Sequence, residues 1–175
     1  MKHAFTNYLH CVFDGRFQNV VNKLSSDITN LQKTQRVDAI AIRGMSGALV
    51  GGAVALATGI PLMCVRKGRS SHSYMRVEGA YNEHKGAQTV NYVIIDDCVC
   101  SGKTIDTIMK EVNKFVKDIT RYHYEGVGPS GAKPISIFLY NEPSTPPFDW
   151  KGERVPVVSF HGNNMQVEDF NTAST

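Results

Sequence analysis

Apolar positions along the chain switch between two spacings, and each switch marks a new element. Across residues 16–31 the apolar side chains Phe17, Val20, Val21, Leu24, Ile28 and Leu31 recur every three or four positions, which is one face of a helix; Asp14 and Gly15 supply start signals. Residues 37–42 are short, apolar and β-branched, the composition of a buried strand. After Arg43, Gly44, Met45, Ser46 and Gly47, the pattern predicts a helix over 48–58. Its Gly51, Gly52, Ala53, Ala55 and Ala57 permit close packing on a sheet, and Gly59 and Pro61 stop it. Residues 62–65 and 92–95 predict further strands. Ile105, Ile108, Met109, Val112 and Phe115 predict a helix over 105–119. A connection rich in glycine and proline, 120–134, leads to a strand at 135–140; 155–160 reads as an edge strand, and the tail after Asn163 as frayed.

This alternation implies an α/β fold, a mostly parallel central sheet flanked by helices. Ligands of such sheets sit beyond the carboxyl ends of the strands, where loops from different units converge. Three loops share that rim: Arg43 to Ser46, Arg66 with Lys67, and Asp96 to Thr104.

Composition narrows the reading. A chain of 175 residues, 42% hydrophobic and 20% charged, is expected to form a single domain over 1–175. The net charge of +3 suits an anionic small molecule and is too mild for a nucleic-acid partner. No apolar run has the length of a membrane span and the first residues lack a signal-like apolar region, so a cytoplasmic protein without a membrane partner is expected. The cysteines at 11, 64, 98 and 100 lack the paired spacing of zinc ligands; Cys11 and Cys64 sit in apolar surroundings, so core packing in a reducing compartment is expected.

Residues 91–106 carry the chemistry. An apolar strand runs into two adjacent carboxylates, Asp96 and Asp97, then into a small-residue loop and directly into a helix. Ser101, Gly102, Lys103 and Thr104 stand where that helix begins. Free backbone N–H groups and the positive end of the helix dipole favour a terminal phosphate there. Gly102 permits close backbone approach. Paired carboxylates one loop-width away suit two vicinal hydroxyls or a hydrated Mg²⁺. The pattern therefore matches a ribose 5-phosphate, with a phosphate at one end and a diol at the other. A Walker phosphate loop is excluded, because its first glycine falls where this chain has Asp97.

The string at 93–104, three apolar residues and two acids followed by Cys98, Val99, Cys100, Ser101, Gly102, Lys103 and Thr104, resembles the phosphoribosyl-pyrophosphate (PRPP) motif of the type I phosphoribosyltransferases. The resemblance covers about residues 37–119. It implies a core over about 37–140 and a small hood over 141–162 with an N-terminal contribution. Carried over residue by residue, Asp96 and Asp97 hold the ribose hydroxyls and orient Mg²⁺ through water. Cys100, Ser101, Gly102, Lys103 and Thr104 hold the 5′-phosphate; Arg43, Gly44, Met45, Ser46 and Arg66 hold pyrophosphate, with a cis peptide near Arg43. Lys67 joins the catalytic set, and residues 66–85 resemble a lid, with Arg69, His72, Ser73 and Tyr74 as weaker candidates and His84 and Lys85 facing solvent. Phe148 and Trp150 are the candidates for stacking on a base. Expected partners are PRPP, a nucleobase and pyrophosphate, in a homodimer. Two departures stand out: Cys100 replaces the aspartate usual in the 6-oxopurine enzymes, and Tyr140 and Asn141 occupy the region where a base-reading lysine is usual. A non-catalytic PRPP or nucleotide sensor on the same fold is the alternative.

Overall fold

The structure, a computed structural model, describes residues 15–68, 75–123, 128–141 and 146–160. In chain order they form α1 (Phe17–Gln32), β1 (Ala39–Arg43), α2 (Gly44–Thr58), β2 (Leu62–Val65), β3 (Val77–Gly79), β4 (Thr89–Asp96), α3 (Lys103–His123), β5 (Gly131–Leu139), β6 (Phe148–Trp150), β7 (Glu153–Val155) and β8 (Val157–Ser159). One six-stranded sheet has the order β3-β2-β1-β4-β5-β8. Every pair in it is parallel except β2 with β3. β6 and β7 form a separate hairpin, turned by Lys151 and Gly152, both at positive φ.

Alternation along the central strands feeds two cores. Ile40, Ile42, Val93 and Ile95 meet Val20, Leu24, Ile28, Val50 and Val54 of α1 and α2. Ala39, Ala41, Tyr92 and Ile94 meet Ile105, Ile108, Met109 and Val112 of α3 on the other face. Burial on both faces explains why β1 and β4 read as continuous apolar runs. Each such aliphatic side chain contributes about 1.5–3 kcal/mol on leaving water.

The structure departs from the sequence reading at several boundaries. α2 starts at Gly44 rather than residue 48, so the anticipated loop is the helix's first turn. Arg43 is extended (φ −148°, ψ 133°) and Gly44 turns the chain at φ +78°. No cis peptide occurs among the described residues, which corrects the expectation near Arg43; the positive φ of Gly44 makes the turn instead. Gly51 does lie against Ile42, whereas Gly52 faces open space. β5 starts at Gly131 and includes Pro134, which pairs opposite Tyr92 beside a register shift. A bulge there accommodates a residue without an N–H. Pro156 likewise divides the expected final strand into β7 and β8, and β8 forms the sheet edge.

Candidate anion and ribose site

Parallel pairing brings the ends of β1, β2 and β4 to one rim: Arg43 registers with Val65, and Ala41 with Ile94. A cavity of about 220 Å³ opens there. Arg43 and Ser46 line it from the β1–α2 turn, Lys67 from the end of β2, and residues 96–102 with Thr104 and Ile105 from the β4–α3 loop.

Asp96 is the last residue of β4 and is only 3% exposed. Its Oδ1 accepts from the Ser46 hydroxyl at 3.3 Å and from the Asp97 backbone N–H at 3.0 Å. Burial, and then the adjoining Asp97 carboxylate, push the Asp96 carboxyl up to about 8. The backbone N–H of Asp97 and the Ser46 hydroxyl oppose that rise. Buried acids beside each other are costly, and this arrangement favours whatever donates to them.

Cations face these acids across the cavity. Arg43 has no side-chain cap to make, and its buried Nε lacks a hydrogen-bond partner among the described residues. Unsatisfied buried donors are uncommon and ask for an acceptor. Lys67 lies across Gly44: a Cβ there would stand 2.7 Å from its Cε and 2.8 Å from its Nζ. The N-terminus of α2, with no acidic residue in its first turn, opens beside it. A second helix N-terminus, that of α3, stands across the cavity beyond Ser101 and Gly102. Two such ends favour anionic groups at both.

The β4–α3 loop is itself held from below. Gly102 has φ +70°, and an added Cβ would come within 2.9 Å of the Phe148 ring. Val99 packs on the α3 face of the core. Cys98 and Cys100 place their sulfurs 3.9 Å apart within the loop. Burial, Asp97 and the neighbouring thiol push the Cys98 thiol up to about 12. Cys98 is partly exposed and Cys100 exposed at the site.

Of the residues singled out in the sequence, Arg43, Ser46, Lys67, Asp96, Asp97, Cys100, Ser101, Gly102 and Thr104 come together around the cavity. Gly44, Met45 and Arg66 line a neighbouring groove instead, and Met45 is 67% exposed. Arg66 Nη1 lies 2.6 Å from Glu78 Oε1 on β3, while its buried Nη2 lacks a hydrogen-bond partner among the described residues. Lys103 is exposed at the start of α3 and does not line the cavity. Phe148 and Trp150 pack against the α3-side core; Phe148 touches the loop from beneath, and Trp150 buries Nε1 without a partner among the described residues. Neither lines the cavity. Arg69, His72, Ser73 and Tyr74 lie outside the described residues. His84 is paired rather than free, its Nε2 3.1 Å from Asp38 Oδ1.

Tyr140 and Asn141 prove to be scaffold. The buried Tyr140 hydroxyl donates to the Ser46 carbonyl at 3.1 Å, and the Asn141 N–H donates to the Asp97 carbonyl at 2.9 Å. Ser46 is thus fixed at its hydroxyl by β4 and at its carbonyl by β5. Their tyrosine and amide groups carried no sequence signal for this role, because the partners are far apart along the chain.

No family model matches the sequence, and no curated protein does either. The backbone, by contrast, is similar to solved phosphoribosyltransferases. Adenine phosphoribosyltransferase from Thermoanaerobacter pseudethanolicus matches 86% of this chain and 83% of its own, with TM-score 0.52 and 20% identity. The chain has the type I phosphoribosyltransferase fold. Adenine phosphoribosyltransferase from Saccharomyces cerevisiae, solved with an iminoaltritol bisphosphate and adenine, matches 83% of this chain and 79% of its own (TM-score 0.51, 18% identity). The Trypanosoma brucei adenine phosphoribosyltransferase, in complex with AMP, pyrophosphate and ribose-5-phosphate, matches 83% of this chain and 63% of its own (TM-score 0.50, 16% identity). Among the described residues no helix is long and apolar enough to cross a membrane.

Proposed function

We propose that the chain is a PRPP-dependent phosphoribosyltransferase that converts a nucleobase and PRPP into a nucleoside 5′-monophosphate and pyrophosphate. The observation that carries this reading is the cavity itself: the buried Asp96 and the half-buried Asp97 line it together with the start of α3, the unsatisfied Arg43 and Lys67. PRPP presents the groups such an order of residues suits: a phosphate at one end, a ribose diol, and a pyrophosphate at the other. The fold shared with adenine phosphoribosyltransferases supports it.

In this reading Ser101, Gly102, Thr104 and the first amides of α3 hold the 5′-phosphate, with Cys100 supplying loop backbone. Asp96 and Asp97 accept from the ribose hydroxyls. Arg43, Lys67 and the α2 N-terminus balance pyrophosphate as its bond to ribose C1 breaks and it leaves with the electron pair. Positive charge then develops at C1, and a base nitrogen supplies the new bond. Stabilisation of separating charge is the work asked of the chain; no protein nucleophile is needed. Mg²⁺ fits the donor set in one way only. Among the described residues no group of three acids, histidines or cysteines could hold a metal alone, so Asp96 and Asp97 would orient a largely hydrated ion shared with the substrate's oxygens. When bound, the ion would offset charge on pyrophosphate.

Phe148, against Gly102, is the aromatic candidate nearest the ribose end, and the β6–β7 hairpin is the described part of the proposed hood. The proposal includes a homodimer: α2 carries no charged residue and leaves Met45, Leu49 and Leu56 exposed. Sedimentation of the parent against Leu56→Glu tests that.

The deciding experiment measures pyrophosphate release from PRPP and Mg²⁺ with adenine, hypoxanthine, guanine, xanthine, orotate and uracil supplied singly. Release with one base establishes the reaction and its acceptor. PRPP binding with no release from any of the six overturns transfer to these bases, in favour of a PRPP sensor or of an unusual acceptor.

A further inference from the structure

Phosphoribosyl transfer uses neither of the two thiols in the phosphate cradle. Cys98 Sγ and Cys100 Sγ are 3.9 Å apart with one residue between them, and both line the cavity. Cys100 is exposed to an incoming reagent, while Cys98 is half-buried behind it. Val99, between them, is anchored in the core, and Phe148 blocks Gly102 from below. The backbone on either side of Val99 is therefore the part free to adjust.

We infer that Cys98 and Cys100 form a dithiol modification site, at which a hydroperoxide closes a reversible disulfide that collapses the phosphate cradle. The Cys100 sulfur attacks the peroxide oxygen, giving a sulfenic acid and one water. The Cys98 sulfur then attacks the Cys100 sulfur, the S–S bond forms, and a second water leaves. Overall two thiols and one hydrogen peroxide give one disulfide and two waters, the sulfurs being oxidised and the peroxide reduced. The second thiol already lies 3.9 Å away, so the sulfenic acid forms beside its resolving partner. Closing the bond brings the sulfurs to about 2.05 Å, which draws in the loop between Asp97 and Ser101 and displaces the amides that face a phosphate. A disulfide spanning a single residue is geometrically constrained, so thiols reopen it readily.

The loss of ligand rests on the phosphate-site reading above; the modification does not. The full chain is treated with hydrogen peroxide and mapped without reduction. The tryptic peptide 86–103 contains Cys98 and Cys100 and no other cysteine. It is expected to lighten by about 2 Da, the two hydrogens lost, and to recover with dithiothreitol. Calorimetry with ribose 5-phosphate is expected to show at least a tenfold loss of affinity on oxidation. In Cys98→Ser, compared with its own reduced form, that peroxide-dependent loss disappears. Oxygen addition to the peptide, or a link to another peptide or chain, overturns the site. A disulfide that leaves ribose 5-phosphate affinity unchanged overturns its control of the cradle. If the disulfide forms but the reduced chain binds no ribose 5-phosphate, the phosphate-site reading falls, and the control with it, while the modification site stands.

Discussion

Asp96 is where stability and chemistry pull against each other. Its carboxyl is buried at the end of β4 beside Asp97, and its folded-state titration is raised to about 8. In the unfolded chain it titrates in the ordinary aspartate range, near 4. The native state therefore binds a proton more tightly than the unfolded state. The stability this contributes is fully present below about pH 4 and is lost as pH rises toward about 8. Asn does not titrate, yet keeps an oxygen to accept from Ser46 and from the Asp97 N–H. Asp96→Asn is thus expected to lose turnover and to gain unfolding free energy over the parent, with the gain growing by on the order of 3–4 kcal/mol between about pH 5 and about pH 8. Urea unfolding at the two pH values reads it; a gain that does not change with pH means the carboxyl is not strained by burial. Gly102 shows a different residue-scale constraint, because both its φ of +70° and the Phe148 ring exclude a side chain. Gly102→Ala is expected to cost about 1–2 kcal/mol of stability from the left-handed backbone alone. It should also weaken ribose 5-phosphate binding about tenfold, as about 1.4 kcal/mol of displaced cradle would.

The β6–β7 hairpin acts on the site as an element, since it supports the β4–α3 loop from below. If Phe148 is what refuses a Cβ at Gly102, then Phe148→Ala in the Gly102→Ala background should recover part of the lost affinity. Phe148→Ala alone should destabilise the fold by about 1–3 kcal/mol through lost packing. A double-mutant cycle of calorimetric affinities checks this, and strictly additive effects would separate the hairpin from the loop. Elements differed in how plainly the sequence announced them, for physical reasons. α1 and β2 were legible because their apolar spacing is local and nothing distant overrides it. The start of α2 was missed because small residues look like loop until the φ of Gly44 is known. β5 was shortened in the reading because Gly131 and Pro134 signal a connection, whereas pairing with β4 and a bulge make them strand. At the cavity, Asp96, Asp97 and the small-residue loop that follows were legible as one contiguous string. The supports were not: Ser46 reaches Asp96 across 50 positions and Tyr140 reaches Ser46 across 94, contacts that exist only once strand order is fixed.

At the scale of the whole molecule the sheet has two unlike ends. The carboxyl ends of β1 and β2 hold the Arg43 and Arg66 nitrogens that lack partners among the described residues, while the opposite end is tied by ion pairs. Asp38, just before β1 and 1% exposed, lies 2.9 Å from Arg36 Nε and 3.1 Å from His84 Nε2, and accepts the Asn91 N–H at 2.7 Å. Its carbonyl accepts from Asn82 as well, so one residue fastens the connection before β4 to the start of β1. Asp38 Oδ1 is held by these two ion pairs and accepts no hydrogen bond among the described residues, whereas Oδ2 accepts from Arg36 and from the Asn91 N–H; the cluster ties the chain together away from the cavity. Asp38→Ala removes the acceptor of several buried donors at once and is expected to destabilise the chain by about 2–4 kcal/mol. Because the site lies at the other end of β1 and β4, the same variant should hold ribose 5-phosphate with the parent's affinity wherever it remains folded. Denaturant unfolding and calorimetry on one preparation separate the two effects. Equal losses in both would mean that the two ends of the sheet are coupled, and that the rim is not built independently of the strand starts.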